Sequence, residues 1–268
     1  MVKISVIMPV YNESETIDKI IEKVLKQDIH QLIIVDDGST DMDMYNWAEN
    51  LFGLFGTLSI HEMHKLELIF SEKNQGKGAS IRKALDAVTG DIVIIQDADL
   101  EYDPADYNKL IEPIVSYPNY AVSYGYRDNL TIPNRFLTWF SNLFTHTKLF
   151  DMETCYKAFR SSVFKLIQVE ENRFGFEPEI TAKVNKIADI AQVPISYNRR
   201  VIGKKIGWQD GIEAIWCIIK YNLDFIDRGR KLFKDWRIFP TDVDRRGKVR
   251  KLNNQYIRNA RTDTPWNS

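Results

Sequence analysis

Cysteine and histidine are scarce in this chain of 268 residues, and their scarcity excludes two classes of protein. The two cysteines, Cys155 and Cys217, cannot build the dense disulfide framework of a small secreted domain. Four histidines are present, and the pair His61 and His64 lacks the spacing of an H-E-x-x-H zinc site. The cysteine usage therefore favours a reducing compartment, and we assign no metal to a histidine.

Long hydrophobic runs are also missing. No apolar stretch approaches the roughly 18 to 20 residues that a membrane-spanning helix needs, because the longest, at residues 92–95 and within 212–219, stop short or carry charge. The amino terminus leads straight into a strand pattern and has no signal-peptide features. We therefore expect a cytoplasmic protein without a transmembrane segment. Its composition, 44% hydrophobic and 27% charged, is typical of a globular chain.

Charge is unevenly distributed along the chain. Residues 1–227 carry 24 Lys and Arg against 33 Asp and Glu, whereas residues 228–268 carry 12 against 4. This predicts a main domain over residues 1–227 and a basic carboxyl-terminal tail over residues 228–268. A basic tail suits an anionic membrane surface, nucleic acid or plain solvation.

Strand-like and helix-like segments alternate, which predicts an α/β fold with a parallel sheet between helices. Predicted strands cover residues 4–10, 31–35, 66–71, 91–96, 120–124 and 190–196. Predicted helices cover residues 14–26, 41–55, 76–87, 133–150, 178–187 and 209–226, with another near Val163. The main domain is thus expected to end in an amphipathic helix, followed by the basic tail.

Alternating carboxylates follow the most apolar of these strands. Asp97, Asp99 and Glu101 stand at positions i, i+2 and i+4, so an extended backbone would point them the same way. Such a cluster suits Mg²⁺ or Mn²⁺, which would neutralise a diphosphate leaving group. The alternative is a solvated acidic turn that caps the next helix.

A second carboxylate pair, Asp36 and Asp37, ends the preceding strand of the pattern. Ligands of open α/β sheets bind outside the carboxyl ends of the strands, so these residues would share a crevice with Pro9, Tyr11 and Glu13. Asp37 could accept hydrogen bonds from a nucleobase or a ribose, or it could belong to an ordinary strand-to-helix turn.

Four motifs in this order resemble family 2 glycosyltransferases of GT-A fold: PVYNE at residues 9–13, DDGS at 36–39, NQGKGA at 74–79 and DADLEYDP at 97–104. The continuation is similar to the dolichyl-phosphate mannose synthase and polyprenyl-phosphate glycosyltransferase branch. It contains Arg127, Arg135 and Ser141, then DMETCYKAFR at 151–160, FEPEI at 176–180 and GKKIGWQDG at 203–211. The resemblance implies a Rossmann-like, mostly parallel sheet flanked by helices.

The resemblance also implies roles for individual residues. The nucleotide sugar would be bound by Pro9, Tyr11, Glu13, Asp37, Lys77 and Asp97, with Arg200 and Lys205 on its phosphates. The metal would be held by Asp97, Asp99 and Glu101. The acceptor phosphate would be bound by Arg127, Arg135 and Ser141. Arg135 and Ser141 are six residues apart, so they could flank one groove only on a bent helix.

These roles predict a metal-dependent, inverting transfer of a hexose from a nucleotide diphosphate sugar to polyprenyl phosphate. GDP-mannose and UDP-glucose are both compatible donors, and dolichyl and undecaprenyl phosphate are both compatible acceptors. Because the acceptor phosphate is already ionised near neutral pH, it needs no general base. The catalytic residues would then be Asp97, Asp99, Arg127 and Arg135.

Two rivals stay open. A family 2 enzyme with a sugar hydroxyl as acceptor would need a base, for which Asp151, Glu153 and Glu177 are candidates. A protein that binds nucleotide sugars without turnover is the other.

Aromatic residues crowd the predicted helix 133–150 around Arg135, a composition that suits a membrane interface. The aromatic helix and the basic tail together favour peripheral docking on the cytosolic membrane face or on a membrane subunit. We expect no nucleic-acid partner.

Overall fold

The computed structural model describes residues 2–54, 64–200 and 208–223, and places seven strands of this part in one sheet. The strands are β1 (Ile4–Val10), β2 (Gln31–Asp36), β3 (Leu66–Phe70), β4 (Ile92–Ile95), β5 (Tyr120–Tyr126), β6 (Lys157–Arg160) and β7 (Asp189–Pro194). Their order across the sheet is β3-β2-β1-β4-β6-β5-β7. Strand β6 runs antiparallel to both neighbours, and the other pairings are parallel. The predicted mostly parallel α/β sheet is confirmed.

Helices occupy the connections between the strands. They are α1 (Ile17–Leu25), α2 (Met44–Leu54), α3 (Lys77–Leu85), α4 (Tyr107–Ser116), α5 (Ile132–Thr145), α6 (Ser161–Phe164), α7 (Phe176–Val184) and α8 (Trp208–Leu223). A single 3₁₀ turn, Pro104–Asp106, precedes α4.

The core lies on both faces of the sheet. Every residue of β2 and β4 is buried, as expected for parallel strands that helices cover on either side. Helix α1 buries one stripe at helical spacing, which comprises Ile17, Ile20, Ile21, Val24 and Leu25. The first four strands therefore form a rigid base whose carboxyl ends share one edge.

Three features differ from the sequence prediction, and the first is helix α4, which was not predicted. The helix predicted over residues 133–150 ends at Thr145, because His146 takes a left-handed conformation with φ of 55°. Strand β6 was not predicted, because its four residues are too short for a clear alternation and it pairs with strands distant in sequence.

Some predictions fall outside the described residues. These are the basic tail over residues 228–268 and its boundary with the domain over residues 1–227, both of which stay predictions. Helix α8 begins within one residue of the predicted position. None of the helices in the described residues is long and apolar enough to cross a bilayer.

Candidate active site

The loops that follow β1 and β2 are tied together at the carboxyl edge of the sheet. Asn12 has a left-handed φ of 54°. Its backbone N–H donates to Ser39 Oγ at 3.0 Å, and its side-chain Oδ1 accepts from the N–H of Thr40 at 2.7 Å. The predicted nucleotide residues Pro9 and Tyr11 lie at this edge, at the end of β1 and directly after it.

Asp37 is buried and organises the glycine turn, which comprises residues 74–78. Its carboxylate accepts from the N–H of Gln75 at 3.0 Å and of Gly76 at 2.6 Å. Gly76 has a φ of 104°, and a Cβ there would lie 2.3 Å from the carbonyl oxygen of Asn172. In this structure Asp37 therefore shapes the turn, and its contact with a nucleotide stays a prediction.

Lys77 begins α3 and lies between two carboxylates. Its Nζ is 2.9 Å from Asp97 Oδ1 and 3.0 Å from Glu177 Oε1. Burial opposes the charge, but Asp97 and the neighbouring groups outweigh it, so the pKa of Lys77 lies well above its usual value. A fixed cation at this edge suits the phosphates of a nucleotide.

Asp97 and Asp99 follow β4 and lie near Glu101 and Glu13, and we call these four residues the acidic cluster. Burial, together with the charges of Asp97, Glu101 and Glu13, raises the pKa of Asp99 to about 7. A divalent cation would relieve this repulsion, and carboxylate oxygens are the ligands that Mg²⁺ and Mn²⁺ prefer. The donor set therefore fits a hard divalent cation.

The predicted metal set of Asp97, Asp99 and Glu101 stays a prediction, and Glu101 has hydrogen-bond partners of its own. No group of three or more acidic, histidine or cysteine side chains in the described residues is arranged as a metal site. Glu101 Oε2 accepts from Tyr197 Oη at 2.6 Å and Oε1 from the N–H of Arg200 at 2.6 Å, so the loop 197–200 engages both oxygens. Glu101 anchors that loop, and its role as a metal ligand beside Asp97 and Asp99 stays a prediction.

Arg200 lies beside the acidic cluster, as its predicted role requires. Its Nη1 is 2.8 Å from Glu13 Oε2. The N–H of Asn198 donates to the carbonyl oxygen of Glu101 at 2.8 Å, which fixes the loop further. Lys205 lies outside the described residues, so its predicted phosphate contact stays a prediction.

Arg127 forms a buried bidentate ion pair with Asp151. Nε lies 2.6 Å from Oδ2 and Nη2 lies 2.9 Å from Oδ1, which fixes the plane of the guanidinium. The guanidinium also packs 5.0 Å from the ring centroid of Tyr197, whose Oη bonds to Glu101. Arg127 is thus linked to the acidic cluster through a single aromatic side chain.

Arg135 and Ser141 do not line one groove. Arg135 is exposed on α5, whereas Ser141 is buried against the core with 1% of its surface exposed. An α-helix with 3.6 residues per turn places positions six residues apart about 120° apart around its axis. Of the predicted acceptor residues on α5, Arg135 alone is accessible.

A family model described as glycosyl transferase family 2 matches residues 5–173, more than half of the chain. The chain belongs to glycosyl transferase family 2. The matched segment of family 2 contains the glycine turn, the acidic cluster and the ion pair of Arg127, whereas Glu177 and Arg200 follow it. The family that the sequence motifs resemble is therefore confirmed.

Curated relatives and solved structures support this assignment. The dodecaprenyl-phosphate galacturonate synthase of Rhizobium johnstonii is 24% identical over 213 residues, which cover 75% of this chain and 60% of the relative. The glycosyltransferase AglD of Haloferax volcanii is 24% identical over 216 residues, which cover 73% of this chain and 33% of the relative. The chain thus spans between about a third and three fifths of these relatives' lengths.

A solved glucosyl-3-phosphoglycerate synthase from Mycobacterium tuberculosis, in complex with Mn²⁺, UDP-glucose and phosphoglyceric acid, superposes with a TM-score of 0.63 at 18% identity. The match covers 82% of this chain and 80% of that one. At this identity the likeness shows the fold, and the predicted GT-A fold is confirmed.

This family 2 chain also has three charged residues, one half-buried and two buried, close to its interior. They are Glu153, which follows Asp151 in the turn before β6, Lys157 at the start of β6, and Glu177 at the start of α7. Glu153 Oε1 and Glu177 Oε2 are buried and have no hydrogen-bond partner in the described part of the chain. The available signal was weak: Lys157 precedes two apolar residues, Ala158 and Phe159, but Arg160 ends the same short segment.

Helices α5 and α8 pack against each other, and each exposes large apolar side chains. We call the exposed set the apolar stripe, and it consists of Ile132, Phe136, Trp139 and Leu143 on α5 and Ile212 and Trp216 on α8. The four residues on α5 follow the spacing of one helix face. Trp139 is 59% exposed and Trp216 is 62% exposed, so packing within the domain does not account for them.

Proposed function

We propose that this chain transfers a hexose from a nucleotide diphosphate sugar to a polyprenyl phosphate. The observation that carries the donor half is the acidic cluster around Asp97 and Asp99 beside the buried cation Lys77. The acceptor half is supported by the relative whose name is dodecaprenyl-phosphate galacturonate synthase.

Asp97 and Asp99 would hold Mg²⁺ or Mn²⁺ together with the diphosphate of the donor. The cation would neutralise negative charge that develops on the leaving diphosphate. Lys77 and Arg200 supply further positive charge at this edge. The glycine turn, held by Asp37, keeps the start of α3 in place for the nucleotide. GDP-mannose and UDP-glucose both remain candidate donors.

The acceptor side needs positioning rather than a base. A phosphate monoester has a second pKa of about 6, so its oxygen is an anion and a nucleophile near neutral pH. Arg127, fixed by Asp151, and the exposed Arg135 would orient that anion. Inversion at the anomeric carbon follows from direct attack by the acceptor oxygen.

The membrane is the expected location of the acceptor. The apolar stripe presents tryptophan, phenylalanine and leucine side chains that suit the headgroup region, and Arg135 lies on the same helix. We propose that the stripe docks on the cytosolic face of the membrane or on a membrane subunit.

Release of nucleoside diphosphate tests the proposed function. Purified protein is incubated with Mg²⁺ or Mn²⁺, a panel of nucleotide sugars and a short polyprenyl phosphate, and each reaction is repeated without lipid. We expect release from one donor to depend on the lipid and on the cation, and to stop with EDTA. Release that is indifferent to the lipid would contradict the proposal.

A second function has one specific observation in its favour. Burial and the charge of Glu177 raise the pKa of Glu153 to about 8, and one carboxyl oxygen of Glu153 has no hydrogen-bond partner in the described residues. Such a carboxyl could deprotonate a sugar hydroxyl. Asp151 is less suited because Arg127 holds both of its oxygens.

The pH profile separates the two functions. With polyprenyl phosphate as acceptor, kcat/KM should rise through a pKa of about 6, where the phosphate loses its second proton, and then level off. With a hydroxyl acceptor, Glu153 must be deprotonated, so activity should keep rising through pH 8, and Glu153→Gln should remove it.

A further inference from the structure

Lys157 is the first residue of β6 and is fully buried. The next two residues of the strand, Ala158 and Phe159, are buried apolar residues of the ordinary kind. An ammonium in such a place is costly unless its N–H groups are satisfied. The partners of Lys157 therefore show which part of the chain its side chain holds in place.

The partners of Lys157 lie in the turn that precedes β6. Its Nζ donates to the carbonyl oxygens of Met152, at 3.0 Å, and of Thr154. The same atom lies 4.6 Å from the ring centroid of Tyr124 on β5, within the range of a cation–π interaction. The lysine thus closes the turn of residues 151–156, which we call the Asp151 turn.

The Asp151 turn contacts several parts of the acceptor side. Asp151 holds the guanidinium of Arg127 and also accepts from its backbone N–H at 3.3 Å. The N–H of Met152 donates to Thr138 Oγ1 on α5 at 3.1 Å. The N–H of Cys155 donates to Tyr102 Oη at 3.1 Å. A shift of this turn would therefore move Arg127.

Methionine has nearly the length of lysine and would fill the same space. It would leave the carbonyl oxygens of Met152 and Thr154 without the donor that now joins them, and a buried acceptor without a donor is destabilising. The turn, and Asp151 with it, would then be free to move away from position 157.

We propose that Lys157 is a positioning residue for the acceptor: its ammonium fixes the Asp151 turn, and the turn fixes the Arg127 guanidinium that receives the acceptor phosphate. The inference rests on the proposed function for the identity of the acceptor. It assigns to Lys157 no contact with substrate.

The kinetic test compares Lys157→Met and Lys157→Arg with a matched control, Lys165→Met. Lys165 also donates to a backbone carbonyl, that of Val88 at 2.8 Å, but it follows α6, beyond the other end of β6. We expect Lys157→Met to raise the KM for polyprenyl phosphate at least about tenfold, as loss of a hydrogen bond to a charged group would. The Kd for the nucleotide sugar should stay within about twofold, Lys157→Arg should recover part of the loss, and the control should behave as the wild type.

Amide hydrogen exchange tests the positioning without turnover. Lys157→Met should speed exchange at three amides and leave exchange in β1 and β2 unchanged. The N–H groups of Met152 and Cys155 belong to the Asp151 turn, and the N–H of Arg127 donates to Asp151. Unchanged exchange at these three amides would overturn the inference. An equal rise in the Kd of the nucleotide sugar and in the KM of polyprenyl phosphate would overturn it too. If the wild type shows no lipid-dependent turnover, the proposed function fails, and the exchange result still decides whether Lys157 positions Arg127.

Discussion

The donor side and the acceptor side of this site are built differently. At the donor side, backbone hydrogen bonds to the buried Asp37 and the ion pairs of Lys77 fix the groups without a ligand. At the acceptor side, Arg127 is fixed but Arg135 is exposed and the neighbouring apolar stripe faces solvent. The difference fits a small donor that meets groups already held in place and a lipid whose own surface completes the acceptor side.

The largest expected effect tests the charge at the donor side. Asp99→Asn keeps the shape of the side chain and removes its charge, and we expect kcat to fall about 10²- to 10³-fold. The fold should be retained, because the change also removes repulsion from Asp97 and Glu101. Turnover is measured by nucleoside diphosphate release, and folding by the far-UV circular dichroism spectrum.

The control for this prediction is Asp86→Asn, an exposed acid at the end of α3 near the opposite edge of the sheet. It should leave turnover unchanged. Full activity of Asp99→Asn would remove the metal site from the donor side.

The next effect concerns the rigidity of the glycine turn. A Cβ at Gly78 would lie 2.1 Å from the carbonyl oxygen of Glu171, so Gly78→Ala should lower the free energy of unfolding by about 1–3 kcal/mol and weaken nucleotide binding. Urea unfolding and nucleotide titration measure the two quantities.

Gly211→Ala is the matched change on α8. Apart from the backbone of α8 itself, no atom of the described residues lies within 4 Å of a Cβ at that position, and alanine is the better helix former, so stability should rise by about 0.5–1 kcal/mol. If both alanine variants changed the free energy of unfolding alike, the glycine turn would not be more closely packed than α8.

A smaller effect is expected at the exposed arginine. Arg135→Ala should raise the KM for polyprenyl phosphate about tenfold, the loss of one hydrogen bond to a charged group, with the Kd of the nucleotide sugar unchanged. Lys19→Ala, which removes an exposed cation from α1, should alter neither quantity. Parallel losses in both substrates would show that Arg135 does not belong to the acceptor side alone.

The smallest effect on the folded domain is expected at the apolar stripe. Trp139→Ser removes a side chain that is 59% exposed, so thermal stability should hardly change, while co-sedimentation with vesicles that contain anionic lipid should fall. Tyr117→Ser removes an aromatic of similar exposure outside the stripe and should leave co-sedimentation as it is. Equal vesicle binding by all three proteins would exclude the stripe as the docking surface.

The donor side was the more predictable half from sequence. Its residues follow strands directly, and the carboxyl ends of parallel strands meet at one edge whatever the packing, so Asp37, Asp97 and Asp99 could be placed together. Hydrogen-bond partners are not encoded in such spacing. The loop 197–200 engages Glu101 from almost a hundred residues away, which no local pattern reveals.

The acceptor side was less predictable because tertiary packing decides which helix faces are covered. Spacing alone placed Arg135 and Ser141 apart on α5, but only the structure shows that Ser141 faces the core. The role of Lys157 was also hidden, because β6 is short and both of its partner strands are distant in sequence.

The position of β6 between β4 and β5 has a consequence for the order in which the nascent chain folds. Strands β1 to β4 can pair as soon as the first 95 residues are available, whereas β6 must insert between β4 and β5, more than 60 and about 35 residues upstream of it. Contacts of such separation form slowly because a long loop must close first. The Asp151 turn is therefore completed after β1 to β4 have paired, and the donor side is completed last, because Glu177 and Arg200 follow β6 in the sequence.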